Sequence, residues 1–314
     1  MKLPVIPDCS SNSYFQQLKD FGKFIEDQCR PSCIFDFAIN PNPLWQMVED
    51  RMLEGLDKFS NSRLPEPQVA MLQWYNSGVL LKCEDTVLGF DLLPIPRYYG
   101  WADRHGFTAR LAEQIDFLMI THNHADHCDS ELINLCLEKG RPVFMHPEAA
   151  LNKAIPVNFL ADGESVKVKG VSVKAHHGCH VWRNNPEEVF TTAFEVEFPE
   201  GFRAVFCGDL DYTRGLDQVK SFPDLLFITW RNPGPLFEDG HPQQKAKTLD
   251  AVNMVVDRLK PERIILQHYA ELDHVYKGFS SSYEMAISLI ESLSVPTEIY
   301  FWGDSTVFKE KSGL

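Results

Sequence analysis

The sequence predicts an α/β protein in which β-sheets are covered by helices. Three observations carry that expectation. Short apolar runs of strand length recur from about residue 69 onward, amphipathic helical stretches alternate loosely with them, and turn residues join some of the runs as hairpins. No internal repeat or low-complexity tract breaks the series. With 314 residues and 44% apolar side chains, the chain can bury a sizeable core in one large unit.

Residues 1–68 read as a helical extension packed on a core domain of residues 69–314. Tyr14 to Asp27 and Leu44 to Phe59 place apolar side chains at helical spacing (Leu44, Met47, Val48, Met52, Leu53, Leu56), with a Pro- and Asn-containing break between them. Val79–Lys82 and Val87–Leu93 then read as paired strands around Glu84-Asp85, and Phe117–Thr121 as a strand buried on both faces. A helix follows over Ser130–Lys139; Asp129 or Ser130 can cap its free amides and Gly140 suits its end. Val143–Met145, Val166–Lys169, Val171–His177, Thr192–Phe198 and Arg203–Cys207 continue the strands, the last two joined through Pro199-Glu200-Gly201. Ala246–Leu259 is an amphipathic helix, and Ile264–Gln267 a buried strand after it.

The formal net charge of −14 is spread along the chain, and such a surface repels polyanions, since nucleic-acid binding rests on Lys and Arg displacing counterions. Long nucleic acid is therefore not expected as a partner, whereas a small anionic substrate remains compatible with a locally metal-charged pocket. The first residues lack a long apolar stretch, and no window has the apolar length of a membrane span, so no membrane association is expected. The eight cysteines fit reduced thiols in a cytoplasmic protein, and Cys29 and Cys33 lack a second pair with which to bind a metal. The oligomeric state stays open, a homo-oligomer included.

The chemistry concentrates in Thr121-His122-Asn123-His124-Ala125-Asp126-His127, directly after an apolar run and directly before a helix. Side chains two apart on an extended segment point the same way, so His122 and His124 can bind one ion together. Asp126 and His127 lie where the chain turns and can face a second ion. Imidazoles and a carboxylate suit zinc, manganese or iron. In Val171–His177, alternation puts His177 on the apolar, inward face, which makes it the expected third ligand of the first ion. His176 and His180 are expected at the surface or the pocket rim. Gly208-Asp209, ending one apolar strand, offers a carboxylate able to bridge two cations, and Ile264–Gln267 delivers His268 at its end.

Together these residues resemble the metallo-β-lactamase superfamily, whose signature is His-x-His-x-Asp-His followed by His, Asp and His at strand ends. Within it the chain is most similar to the branch of L-ascorbate-6-phosphate lactonase and related lactonases and phosphodiesterases. The supporting stretches are Asn76–Lys82, Gly89-Phe90-Asp91, Ile115–Asp129, Cys207-Gly208-Asp209 and Leu259–His268. The resemblance implies an αββα sandwich and two divalent metal ions. His122, His124 and His177 would hold one ion, and Asp126, His127 and His268 the other. Asp209 would lie between the ions and Asp91 would support the site from behind. The ascorbate-phosphate lactonases carry Asp at the position matching His177, a departure that bears on the substrate. The oxygen-reducing di-iron members carry Glu where this chain has His124, which favours zinc or manganese over iron.

Two cations a few ångströms apart would make hydroxide available near neutral pH for attack on a carbonyl or phosphoryl centre. Asp126 or Asp209 would orient the nucleophile, and His268, His274, His180 or His241 would protonate the leaving group. Arg231, in the long segment Trp230–His241, is a candidate for an anionic substrate. The expected activity is hydrolysis of a small cyclic ester, a lactone or a phosphodiester. Its rivals are an RNA-processing nuclease on the same scaffold and a non-catalytic metal-binding regulatory protein.

Overall fold

The computed structural model describes residues 5, 7–28, 43–64, 68–94, 103–147, 156–181, 188–212, 216–220, 222–229, 242–268 and 283–309. In chain order its elements are α1 (Tyr14–Gln28), α2 (Pro43–Asn61), β1 (Gln68–Gln73), β2 (Val79–Cys83), β3 (Thr86–Phe90), α3 (Phe107–Gln114), β4 (Phe117–Met119), α4 (Ser130–Glu138) and β5 (Val143–Phe144). There follow β6 (Ser165–Val168), β7 (Val171–Val181), β8 (Glu188–Glu197), β9 (Arg203–Phe206), β10 (Leu225–Thr229), α5 (Pro242–Leu259), β11 (Arg263–Gln267), α6 (Tyr283–Ser292), β12 (Thr297–Ile299) and β13 (Ser305–Lys309).

The strands form two sheets, one of six in the order β13-β1-β2-β3-β4-β5 and one of seven in the order β12-β11-β10-β9-β8-β7-β6. Strand alternation divides their side chains between two apolar layers. Met71, Leu81, Phe90 and Met119 of the first sheet pack with Val173, Phe194, Phe206, Phe227 and Ile265 of the second, Phe90 lying 4.7 Å from Phe206 between ring centres. Their neighbours Leu72, Leu80, Leu118, Val205, Leu226 and Ile264 point outward and join the buried faces of the helices. This is the expected sandwich of two sheets with helices outside. Among the described residues, no helix is long and apolar enough to cross a membrane.

The N-terminal helices are built into this core. Leu18, Phe21, Val48, Met52, Leu56 and Phe59 belong to the same apolar cluster as Phe301 and Trp302, and Phe21 meets Phe301 edge-on at 4.7 Å. Buried Lys82 extends its Nζ to the carbonyls of Ser60 and Ser62, at 3.0 and 2.8 Å, satisfying oxygens that the end of α2 leaves without helical partners. Asp304, fully buried, accepts from Arg51 of α2, from Tyr14 Oη of α1 at 2.9 Å and from the Phe301 amide at 2.9 Å. A Cβ on Gly55 would stand 2.1 Å from the Gly303 carbonyl oxygen, so the helix can approach this turn only through glycine.

The helix at 130–139 is present with Asp129 as its cap, its Oδ1 accepting from the Leu132 amide at 2.8 Å. Strand β3 stops at Phe90, because Asp91 turns the backbone to φ 41°. Two strands run further than the alternation predicts: β7 continues to Val181, beyond the expected end at His177, and β8 begins at Glu188 rather than Thr192.

Candidate metal centre

One edge of the sandwich collects the chemistry. Strands β3, β4 and β5 run parallel, as do β9, β10 and β11, while β7 and β9 share a direction through their antiparallel neighbour β8. Asp91, the 121–127 segment, His180, Asp209 and His268 therefore leave the same ends of their strands.

Past β4 the chain is pinned from below. The Thr121 amide donates to Asp91 Oδ1 at 2.8 Å and its hydroxyl to Asp91 Oδ2 at 2.6 Å. His124 O then accepts from the amides of His127 and Cys128, both at 3.0 Å, and this turn brings His127 back beside His122, with ring centres 4.1 Å apart. Nε2 of His122 lies 2.9 Å from Nδ1 of His124, so the two rings converge on one point as their spacing predicts.

The third side chain at that point is His180. Its ring centre lies 5.3 Å from that of His122 and 4.9 Å from that of His124, and the three offer nitrogens within 4.8 Å of one another. His177, the expected ligand, is not in this group. It does face inward, but at its level the space is filled by His146 and Phe159, with ring centres at 4.9 and 5.7 Å. The difference is one of strand length: β7 carries on past His177, and His180 is the histidine that reaches the edge. Nor are His176 and His180 rim residues, since both are buried, and His176 Nε2 is paired with Glu195 Oε2 at 2.9 Å.

Asp209 follows a tight approach. Gly208 has φ 53°, and a Cβ there would stand 2.6 Å from Thr121 Oγ1, so glycine lets the end of β9 close onto the 121–127 segment. One Asp209 oxygen, Oδ1, lies 2.8 Å from His268 Nε2. The other, Oδ2, is 3.8 Å from His127 Nε2 and 3.9 Å from His180 Nε2. Asp209 thus stands among all three. His268 itself sits at φ 62°, an uncommon conformation for a residue with a side chain and one that costs on the order of 1–3 kcal/mol. Two further groups have donors within 4.8 Å of one another: His122, His127 and Asp209; and Asp126, His127 and His268.

The surrounding shell was less visible in sequence. Asp91 Oδ2 holds His127 Nδ1 at 2.8 Å with Ser77 Oγ at 3.0 Å, which turns His127 Nε2 toward the cluster. Asn76 Nδ2 donates to Asp126 Oδ2 and to the Asp126 carbonyl, both at 3.1 Å. Asn76 adopts φ 59° in the turn between β1 and β2, and Gln267 Nε2 secures that turn through Ser77 O at 2.8 Å. Asn76, Ser77 and Gln267 belong to stretches that the resemblance included without giving any of them a role.

Electrostatics favour a cation. Burial drives the His127 pKa down, but Asp126, Asp91 and Asp209 outweigh it and hold the ring at about 10. Burial, and then the charge on His127, push His122 well below the usual histidine range, so that it offers a neutral lone pair. His127 Nε2 is buried without a hydrogen-bond partner and aims at Asp126 Oδ2 and Asp209 Oδ2, 3.6 and 3.8 Å away. A buried imidazole nitrogen aimed at converging carboxylates, among further imidazoles, is a donor set that fits divalent metal ions. Arg231, His241 and His274 lie outside the described residues.

The profile of the Beta-lactamase superfamily domain matches residues 85–268, more than half of the chain, and the chain belongs to that superfamily. No curated protein matches it. Among solved structures, the fold is similar to a metallo hydrolase of the hyperthermophilic archaeon Ignicoccus hospitalis, at 14% identity over 78% of this chain and 100% of the other, with a TM-score of 0.53. It is similar also to an isothiocyanate hydrolase from Delia radicum gut bacteria (15% identity, 77% and 100% coverage, TM-score 0.52). The diiron β-hydroxylase CmlA of Streptomyces venezuelae shares the fold as well (18% identity, 79% and 55% coverage, TM-score 0.52). At these identities the likeness is one of fold.

Proposed function

We propose that the protein is a metal-dependent hydrolase that holds two divalent cations, zinc or manganese, and opens a small anionic cyclic ester, either a lactone or a phosphodiester. The observation that carries this reading is the convergence of two three-donor groups with Asp209 between them. His122, His124 and His180 would hold one ion; Asp126, His127 and His268 would hold the other. Ions in these places would lower the pKa of water toward neutrality and polarise the scissile group.

The chain's own residues supply the order. Asp91 fixes the His127 ring, and Asn76 steers Asp126 Oδ2, so that carboxylate is set to accept a hydrogen bond from the attacking water. Because His180 and His268 belong to the ligand groups, proton delivery to the departing oxygen falls to His241 or His274, and Arg231 is the candidate contact for the anion. The net charge of −14 favours a small substrate over RNA.

The test is metal analysis of the purified protein together with turnover of a lactone panel, a generic phosphodiester and an RNA. Two metal equivalents with turnover of either small ester are expected. A protein with neither metal nor turnover would be a binding scaffold, and preferential cleavage of RNA would make it a nuclease.

A further inference from the structure

The turn between β1 and β2 is hydrogen-bonded at every carbonyl from Trp74 to Gly78. Gln73 Nε2 reaches Trp74 O, Asn76 O and Gly78 O at 3.1, 3.3 and 3.1 Å, and the Gly78 amide donates to Tyr75 O at 2.9 Å. Ser77 O takes its donor from the other sheet: Gln267 Nε2 at the end of β11, 2.8 Å away. Both glutamines are buried. With its carbonyls so occupied, the turn holds one shape and presents the side chains of Asn76 and Ser77 to the ligand cluster.

Those contacts fall on one of the two donor groups. Asn76 Nδ2 donates to Asp126 Oδ2 at 3.1 Å, and Ser77 Oγ stands 3.0 Å from His127 Nδ1. Gln267, which grips the turn from the opposite sheet, is the residue before His268. Asp126, His127 and His268 form the second group, so all three of its donors are referred to one turn. The first group, His122, His124 and His180, has other supports. Thr121 Oγ1 lies 3.0 Å from His122 Nδ1, and the Asp211 amide donates to Cys179 O, beside His180, at 2.8 Å.

We infer that Gln267 is a positioning residue for the second ion alone, its bond to Ser77 O clipping the two sheets together where Asp126, His127 and His268 must meet. The inference rests on the reading of the cluster as a two-ion centre and not on any substrate. His268 has particular need of the clip, because its φ of 62° is a conformation that persists only where the surrounding structure fixes it. The Gln267 backbone is held in register with Thr229 of β10, and its side chain is held by the turn in the opposite sheet. Without that side-chain bond the residue leading into His268 would be fixed by its own sheet only. His268 could then relax away from Asp209, and the Asn76-Ser77 turn could shift from Asp126 and His127.

The experiment is zinc titration of the metal-free protein in competition with a chromophoric chelator, for the wild type, Gln267→Met and Thr229→Val. Methionine keeps the length of the side chain and removes its donor; Gln267→Leu does the same in a shorter form and serves should the first variant not fold. Thr229 is as buried as Gln267 and stands opposite it, but its hydroxyl meets Tyr212 Oη at 3.0 Å, so Thr229→Val reports general damage to this end of the sheet. The wild type should take up two equivalents. Gln267→Met should hold one of them as the wild type does and bind the other about 10- to 100-fold more weakly. Thr229→Val should keep both. Equal weakening of both ions in the Gln267 variants, wild-type affinity for both, or the same selective loss in Thr229→Val would overturn the inference. A wild type that binds two zinc ions but opens no ester would leave the clip standing and remove the hydrolase reading; one that binds fewer than two would overturn both.

Discussion

Two regions of the molecule bury carboxylates, and they satisfy them in opposite ways. At Asp304, two oxygens meet Arg51, Tyr14 Oη and the Phe301 amide, so both oxygens have fixed donors drawn from the elements that must be held together. Burial still lifts that carboxyl above its usual pKa, which means the donors offset the loss of water only in part. At the metal centre, Asp91, Asp126 and Asp209 surround His127, and their charges hold the imidazole as a cation up to a pKa of about 10. The structural carboxylate takes its countercharge from a guanidinium that keeps its proton; the carboxylates of the centre face imidazoles, which can exchange a proton for a metal ion.

Substitutions can break this contrast. The largest effect is expected at the centre: His122→Ala or Asp209→Ala should cut turnover by about a thousandfold or more, the equivalent of several kcal/mol of charge stabilisation, with circular dichroism unchanged. Wild-type rates in both variants would dissolve the site. Asp304→Ala should do the reverse, lowering stability by about 3 kcal/mol in denaturant titration while metal content per folded molecule holds. A paired measurement sharpens the assignment within the cluster. His180→Ala should lose a metal equivalent by elemental analysis, and His177→Ala should retain both; the opposite pattern would restore His177. Asp91→Asn should weaken metal affinity by about 10- to 100-fold, since it loosens the ring orientation of His127 without removing a ligand.

The smallest effect is a pH dependence confined to the metal-free protein. His127 has a folded pKa of about 10, above the ordinary value of 6.5. Its charge therefore contributes stability that is fully present below about pH 6.5 and is lost as pH rises toward 10. Metal replaces that proton, so thermal melts of the loaded protein should be flat across the same interval, and metal uptake should release protons measurable in weakly buffered solution. Parallel pH profiles with and without metal would show that the ring does not titrate as described.

Much of this was legible in sequence because the signals were local. The 121–127 spacing, the Gly208-Asp209 step and the apolar run before His268 each depend on a few adjacent residues, and those side chains come together in space. What failed depended on length and on partners. His177 and His180 could be separated only by knowing how far β7 runs, and that is set by pairing with β8 through Val181 and Glu188, beyond the stretch of clean alternation. Leu225–Ile228 is continuously apolar, and a short run of that kind has no period to distinguish strand from helix, so the sequence does not announce β10. Two of the edge strands, Thr297–Ile299 and Ser305–Lys309, carry mostly polar or half-exposed residues and give little hydrophobic signal. Asn76, Ser77 and Gln267 act through contacts with residues 50 or more positions away, which no local pattern encodes.

The glycine pair at positions 55 and 303 has a practical bearing on how the chain can be cut. Since α2 touches the turn before β13 backbone to backbone, and Phe21 and Met52 lie in one apolar cluster with Phe301 and Trp302, the first 68 residues cannot be trimmed away as an appendage. A fragment starting at residue 69 would keep the ligand residues yet present a bare aromatic flank to solvent, and its expected fate is aggregation rather than a smaller working enzyme.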